Sequence, residues 1–415
     1  MITKLQKDWK IKPLGEVCKL KNGYAFKSDN YLEKGIPVIR ISDIKDGLIV
    51  PRNTVHVSEN SIYDSYIINE NEIIVAMSGA TTGKFGIYKS KEKAYQNQRV
   101  GKFDILDNTI LDNNFLLHQL HSLKRQIEKD AYGGAQPNIS SKKIEEMEIV
   151  LPPLETQQAI VSKIEELFSE LDKGIEDLKT AQQQLKTYRQ SVLKWAFEGK
   201  LTNENVKDGE LPKGWEIVEL GNVCSLITDG KHGDCENETN SGFYFLSAKD
   251  VKFDKLNYEN ARQITKSGFN ETHRRTNLKP GDICMVNTGA SIGRIALAPN
   301  DDKTYKTTFQ KSVAVIKTIP EILNNKYCSY VLKSDLKQLM KISSGTAVPN
   351  LLLGTLKKHT INIPLNLEEQ HRIVQEIESR LSVADKMEES IVQSLLQAEA
   401  LRQSILKKAF SGELV

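Results

Sequence analysis

Apolar side chains recur every three or four positions over two long stretches of the chain. Setting heptad position a at 157, 164, 171, 178, 185 and 192 places Gln157, Ile164, Leu171, Leu178, Leu185 and Val192 there, with Ile160, Leu167, Gly174, Ala181, Tyr188 and Trp195 at d. This spacing predicts a long helix over 154–197 with a coiled-coil seam. The second stretch, 367–410, keeps the stripe with Ile373, Ile377, Met387, Ile391, Leu401 and Ile405, and has Ala384 and Ala398 where the first has Leu171 and Leu185. The simplest way to bury both stripes is to pack them together, small residues facing large. Gly199 and Gly412 follow the two patterns where a C-terminal cap belongs. Elsewhere the apolar runs are short and bounded by Gly, Asn and Asp, as strands are: 36–41, 72–77, 86–88, 282–286 and 312–316. Helical stretches are expected at 113–130 and 322–342, so the fold class is α/β, mixed α+β.

The long helices are copies of one another. Residues 154–202 align without a gap onto 367–415 with 21 of 49 positions identical, from LExQ at the start to RQS(V/I)LKxAFxGxL at the end. A more divergent block precedes each copy. WKIKPLGEVCKL (9–20) matches WEIVELGNVCSL (215–226), NEIIVAMSGATTGKFGI (71–87) matches GDICMVNTGASIGRIAL (281–297), and GGAQPN (133–138) matches GTAVPN (345–350). The repeat predicts a block over 1–150, a helix over 151–200, a polar linker over 201–214 containing Pro212, a second block over 215–363 and a second helix over 364–415.

At 415 residues with 39% apolar and 27% charged residues, the chain is too long for a single core and too apolar for disorder. The net charge of +3 excludes a polycation, so nucleic-acid binding would rest on local basic patches. The start lacks the apolar stretch of a signal peptide and no run reaches a membrane span, so a cytoplasmic protein without membrane contact is expected. Five cysteines without a CxxC spacing indicate neither a disulfide framework nor a zinc ribbon, and are read as buried or idle thiols.

Catalytic constellations are not expected. GATTGK (79–84) is one residue short of a phosphate loop and is followed by Phe85. The adjacent prolines of VLPPLE have the wrong neighbours for the (N/D)PP(Y/F) motif of an amino-methyltransferase. His118 with His121, and His232 with Cys235, lack further ligands for a metal. Four loop types recur in both blocks: KNGYAFK (21–27) with TDGKHG (228–233), SGATTGK (78–84) with TGASIGR (288–294), QNQR (96–99) with TFQK (308–311), and the two PN loops. Their glycines would let backbone approach a phosphate, Lys84 and Arg294 add charge after a strand, and Gln98 or Gln310 could read base edges.

The order block, helix, block, helix resembles the specificity subunit of a type I restriction–modification system. The resemblance spans the chain and rests on SGATTGKFGI, GAQPNIS, AVPNL, TDGKHG and both LExQ…AFxGxL helices. It implies a non-catalytic DNA-recognition subunit whose two blocks are target recognition domains, each reading half of a split, asymmetric site in double-stranded DNA. The helices would form an antiparallel spacer on which two methyltransferase (modification) subunits dock. Those partners would bring S-adenosylmethionine and methylate adenine, and motor-nuclease (restriction) subunits would use ATP and Mg²⁺ to cut; this chain would hold no cofactor. The implied DNA contacts in the first block are Lys21, Tyr24, Lys27, Arg40, Ser78, Thr81, Lys84, Gln98, Arg99, Gln136 and Asn138. In the second block they are Lys231, His232, Lys249, Arg274, Arg275, Thr288, Ser291, Arg294, Gln310, Lys311 and Asn350. The alternatives are a degenerate methyltransferase or restriction-enzyme fragment, and a coiled-coil scaffold that does not touch DNA.

Overall fold

A computed structural model describes residues 8–45, 47–49, 51, 54–131, 137–203, 205–342 and 350–415. The chain divides into two units, Met1–Lys179 with Val392–Val415, and Thr180–Ile391, so each unit holds one block and a stretch of both long helices.

The two blocks repeat one sheet. In the first unit the strand order is Cys18–Asn22, Val100–Ile105, Ile73–Ala76, Phe85–Ile87, Gly47–Ile49 and Ile44–Lys45. In the second it is Cys224–Asp229, Val313–Thr318, Ile283–Val286 and Ile295–Leu297, the counterparts of the first four. Ile73–Ala76 and Ile283–Val286 are buried throughout, which is why they read as unbroken apolar runs rather than as alternation. A parallel strand pair lies apart from each sheet: Ile36–Ile39 with Ala94–Gln96, and Tyr244–Leu246 with Thr307–Phe309. Antiparallel ribbons, Lys10–Pro13 with Glu148–Leu151 and Trp215–Glu219 with Thr360–Pro364, return the end of each block to its beginning. The helix Asn113–Ala131 buries Phe115, Leu116, Leu120 and Ile127 in the core of the first unit. Its expected counterpart over 322–342 is two helices, Asn325–Ser334 and Leu336–Ile342, separated at Asp335.

The long helices span Leu154–Phe197 and Leu367–Ser411, and each ends at a glycine of positive φ, Gly199 at 76° and Gly412 at 80°. They pair antiparallel within each unit. In the first, Ile160, Val161 and Ile164 share a core with Ile405, Leu406, Ala409 and Phe410. There Arg402 is ion-paired with Asp172 and its guanidinium lies 4.4 Å over the Phe168 ring. In the second, Val192, Ala196 and Phe197 share a core with Ile373, Val374 and Ile377, and Arg189 bridges Asp385 at 2.6 Å and Glu388 at 2.9 Å. Arg189 and Arg402, like Asp172 and Asp385, are equivalent in the repeat.

The buried stripe departs from the expected seam. Tyr188 and Trp195, placed at d, are 36% and 41% exposed, and Met387 and Leu401 are 54% and 50% exposed. A helix of 3.6 residues per turn drifts by ~20° per heptad from a 3.5 repeat, which carries d positions out of the interface along a helix this long. Ala196 is buried in place of Trp195, and Ala384 and Ala398 are buried while the larger Met387 and Leu401 stand outside.

Gln157, at an expected a position, does not pack as an apolar residue would. Fully buried, it accepts from Asp112 N at 2.9 Å and donates to Ile110 O and Pro152 O at 2.8 and 2.9 Å. Gln370 does the same: it accepts from Asn324 N at 2.8 Å and donates to Ile322 O and Pro364 O at 2.9 and 2.8 Å. The repeated glutamine of LExQ therefore ties the start of each long helix to the loop that leads into the helix of its block. All five cysteines are free and buried. Among the described residues no helix is long and apolar enough to cross a membrane.

Candidate nucleic-acid interface

In the first unit, residues of all four recurring loop types line one open cleft of about 650 Å³: Asn22, Ser78, Gly79, Gln98, Arg99 and Asn138 among them. Two strand-like contacts assemble it. Tyr24 pairs with Asn97, and Ser78 with Asn138; in the second unit Lys231 pairs with Gln310, and Thr288 with Asn350. Gln136 of the first PN loop lies outside the described residues.

The glycines of the first loop type have a packing role within the protein. A Cβ on Gly23 would stand 2.3 Å from the carbonyl oxygens of Gln96 and Asn97, and one on Gly230 would stand 2.0 Å from Phe309 O. The space is filled by the chain's own backbone, so these glycines allow loop to approach loop. Gly83 and Gly293 adopt positive φ (84° and 85°) in the turns that precede Lys84 and Arg294.

Backbone hydrogen bonds correct one pairing of the loops. Tyr24 N donates to Gln96 O as Lys231 N does to Phe309 O, and Met77 N donates to Arg99 O as Asn287 N does to Ser312 O. The counterpart of QNQR is thus FQKS (309–312), one residue beyond TFQK. Gln310 matches Asn97, Lys311 matches Gln98, and Ser312 matches Arg99. A further equivalence was not apparent from sequence: Arg40 N donates to Asp43 Oδ2 and Ser247 N to Asp250 Oδ2, both at 2.9 Å, with both aspartates buried. The spacing R-x-x-D against S-x-x-D is the only trace it leaves.

The scaffold is therefore common to both units while the side chains it displays differ. Lys84 and Arg294 hold one position, each with its N donating to the residue three before it, Thr81 O and Ser291 O. Asn138 and Asn350 hold another. At the remaining equivalent positions the first unit has Asn22, Tyr24, Arg40, Gln98 and Arg99, and the second has Asp229, Lys231, Ser247, Lys311 and Ser312.

Several expected DNA contacts are engaged within the protein. Thr81 Oγ1 donates to Ile41 O at 3.0 Å, Thr288 Oγ1 to Asn350 Oδ1 at 2.9 Å, and Lys21 is paired with Asp104 at 2.6 Å. Tyr24 is half-buried in an aromatic cluster, with ring centroids 5.0 Å from Phe26 and Tyr63. Lys231 is held 3.0 Å from Glu271, whose carboxylate raises the lysine's pKa. Lys27, Gln98, Arg99, Asn138, Lys249, Arg274 and Lys311 are exposed. Ser78 Oγ is buried and lines the cleft without a hydrogen-bond partner among the described residues.

Lys266–Thr276 forms a helix that sequence did not predict, because Phe269 is its only large buried apolar residue. It brings Arg275 to the first loop of the second unit. Arg275 Nε donates to Asp229 O at 2.9 Å and Nη2 donates to Asp229 Oδ1. His232 Nε2 lies 3.1 Å from the other carboxylate oxygen.

The family model for the type I restriction modification DNA specificity domain matches residues 6–180 and again 212–396. The chain is similar to the EcoBI specificity subunit of a type I restriction enzyme from Escherichia coli, at 28% identity over 423 residues covering 98% of this chain and 86% of that protein. Among solved structures, a chain from a study of complex assembly and conformational transition in the type I R-M system superposes with a TM-score of 0.76, at 21% identity and 99% coverage of both chains. The HsdS subunit from Thermoanaerobacter tengcongensis superposes with a TM-score of 0.62, at 20% identity, covering 99% of this chain and 98% of that one.

Proposed function

Because this chain belongs to the type I restriction modification DNA specificity family, we propose that it is the non-catalytic DNA-recognition subunit of a type I restriction–modification complex and reads a split, asymmetric site in double-stranded DNA. The observation that carries this reading is the pair of loop scaffolds with matching hydrogen bonds and different displayed residues. A common scaffold docks on the duplex in a common way, while different side chains at equivalent positions select different bases. Two unlike readers make the whole site non-palindromic.

Lys84 and Arg294, retained at one position, contact phosphates; Gln98 and Lys311 face base edges. Modification subunits dock on the long helices, bring S-adenosylmethionine and methylate adenine within the site. Restriction subunits supply the ATP- and Mg²⁺-dependent cleavage. The test is methylation mapping of DNA from cells that carry this chain with its methyltransferase partner. The expected result is methylated adenine in two unlike half-sites at a fixed separation; a palindromic or continuous site would overturn the reading.

A further inference from the structure

We infer that Arg275 is a specificity-determining residue that reads a guanine in the half-site of the second unit, with Asp229 as its positioning residue; this rests on the DNA-recognition reading above. A guanidinium offers two edges on which a pair of N–H groups point in parallel, the side edge formed by Nε and Nη2 and the end edge formed by Nη1 and Nη2. The side edge of Arg275 is taken up by Asp229, whose backbone oxygen accepts from Nε and whose Oδ1 accepts from Nη2. Asp229 is itself fixed. Its side chain is 11% exposed, and Oδ2 lies 3.1 Å from His232 Nε2. The plane of the guanidinium is thereby set, while the Arg275 side chain is 48% exposed and its end edge carries no hydrogen bond to the described residues.

Two parallel donors match the O6 and N7 acceptors of guanine in the major groove, and they also match two phosphate oxygens. The position favours the base. Asp229 is the counterpart of Asn22, which lines the cleft of the first unit, whereas the position conserved as a cation in both units, the one expected for a backbone contact, is occupied by Lys84 and Arg294. Fixing the guanidinium plane matters most for a directional contact with a base edge; a phosphate is satisfied by a mobile cation. The first unit has the neutral Asn22 in place of the carboxylate, so an arginine there would lack the charged partner, and the two half-sites differ accordingly.

The experiment compares the parent chain with Arg275→Ala, Arg275→Lys and Asp229→Asn, each with its methyltransferase partner, by methylation mapping and by DNA binding across a salt series. In the parent, one half-site should contain a required G·C pair. Arg275→Ala and Arg275→Lys should each lower discrimination at that pair by about 10- to 100-fold, and Arg275→Lys should keep the salt slope of the parent. Asp229→Asn should lower discrimination at the same pair with the slope unchanged, an effect that lost folding would not produce. The untouched other half-site shows in the same data that the chain is folded. A half-site without guanine, a base preference that survives Arg275→Ala, or a uniform loss for all sequences with the slope reduced by about one, the mark of a phosphate contact, would each overturn the inference. A parent complex that reads no split site would instead overturn the proposed function itself.

Discussion

Lys84 and Arg294 occupy one position in two units whose neighbouring residues have diverged, each following a turn closed at a glycine of positive φ. A cation retained where the side chains around it change fits a partner common to every DNA sequence, the phosphate backbone. Lys84→Ala and Arg294→Ala should therefore each weaken DNA binding by the assembled complex, lower the slope of log affinity against log salt by about one, and leave base preference intact. Titrations over a salt series check this, and an unchanged slope would remove that loop from the interface. His118 shows the opposite case, a titratable residue withdrawn from function. It is buried beside Phe168, and burial, then the nearby His121 and Arg402, lower its pKa to about 4. The unfolded chain binds this proton near pH 6.5 while the folded chain does not, so the imidazole contributes full stability above about pH 6.5 and loses it as the pH falls toward 4. The slope is about 1.4 kcal/mol per pH unit within that window. Replacing His118 with Leu should flatten that part of the stability profile, as measured by urea unfolding at pH 4.5 and pH 7. An equally steep profile in the variant would assign the loss to other groups.

Each long helix is tied to its block by one buried glutamine. Gln157→Leu would leave the Asp112 N–H and the Ile110 and Pro152 carbonyls without their partner, at a cost of about 2–4 kcal/mol. Amide exchange over Asn113–Ala131 should then quicken while Asn325–Ser334 keeps its protection, and Gln370→Leu should reverse the pattern. Equal loosening of both helices would show that the glutamine is not a local tie. The same residue marks what could be read in the sequence. The long helices were legible almost to their last residue, because one period runs for more than forty positions and stops at a glycine. The central strands were legible as buried apolar runs. Gln157, however, looked like one more seam position, since periodicity records where a side chain points and not which backbone groups it satisfies. The four loop types were legible as recurring segments in both blocks, but nothing in the sequence showed that they meet in one cleft of the first unit. Their pairing slipped by one residue because Gln98 and Gln310 look alike, whereas the backbone hydrogen bonds match Gln310 with Asn97. Lys266–Thr276 left too faint an apolar signal, so the tie between Arg275 and Asp229 could not be foreseen.

Both long helices pass from one unit to the other, the first at Lys179–Thr180 and the second at Ile391–Val392, so the covalent links between the two units are helical. At ~1.5 Å per residue a 44-residue helix measures roughly 65 Å, longer than one DNA turn of about 34 Å. On the proposed function, helix length then sets the separation of the half-sites, while the loops set their bases. Inserting four residues after Gln182 adds about 6 Å and roughly one helical turn, which keeps the buried stripe nearly in phase. At ~3.4 Å per base pair this amounts to one or two base pairs. Methylation mapping should find both half-sites unchanged and the spacer between them longer. Inserting two residues instead turns everything beyond the insertion by about 200° and places polar residues where Leu185 and Val192 are buried, so assembly should fail without any shift in specificity. Altered half-site bases with an unaltered spacer in the four-residue variant would mean that the helices do not measure distance, and that the spacer is set by the partner subunits.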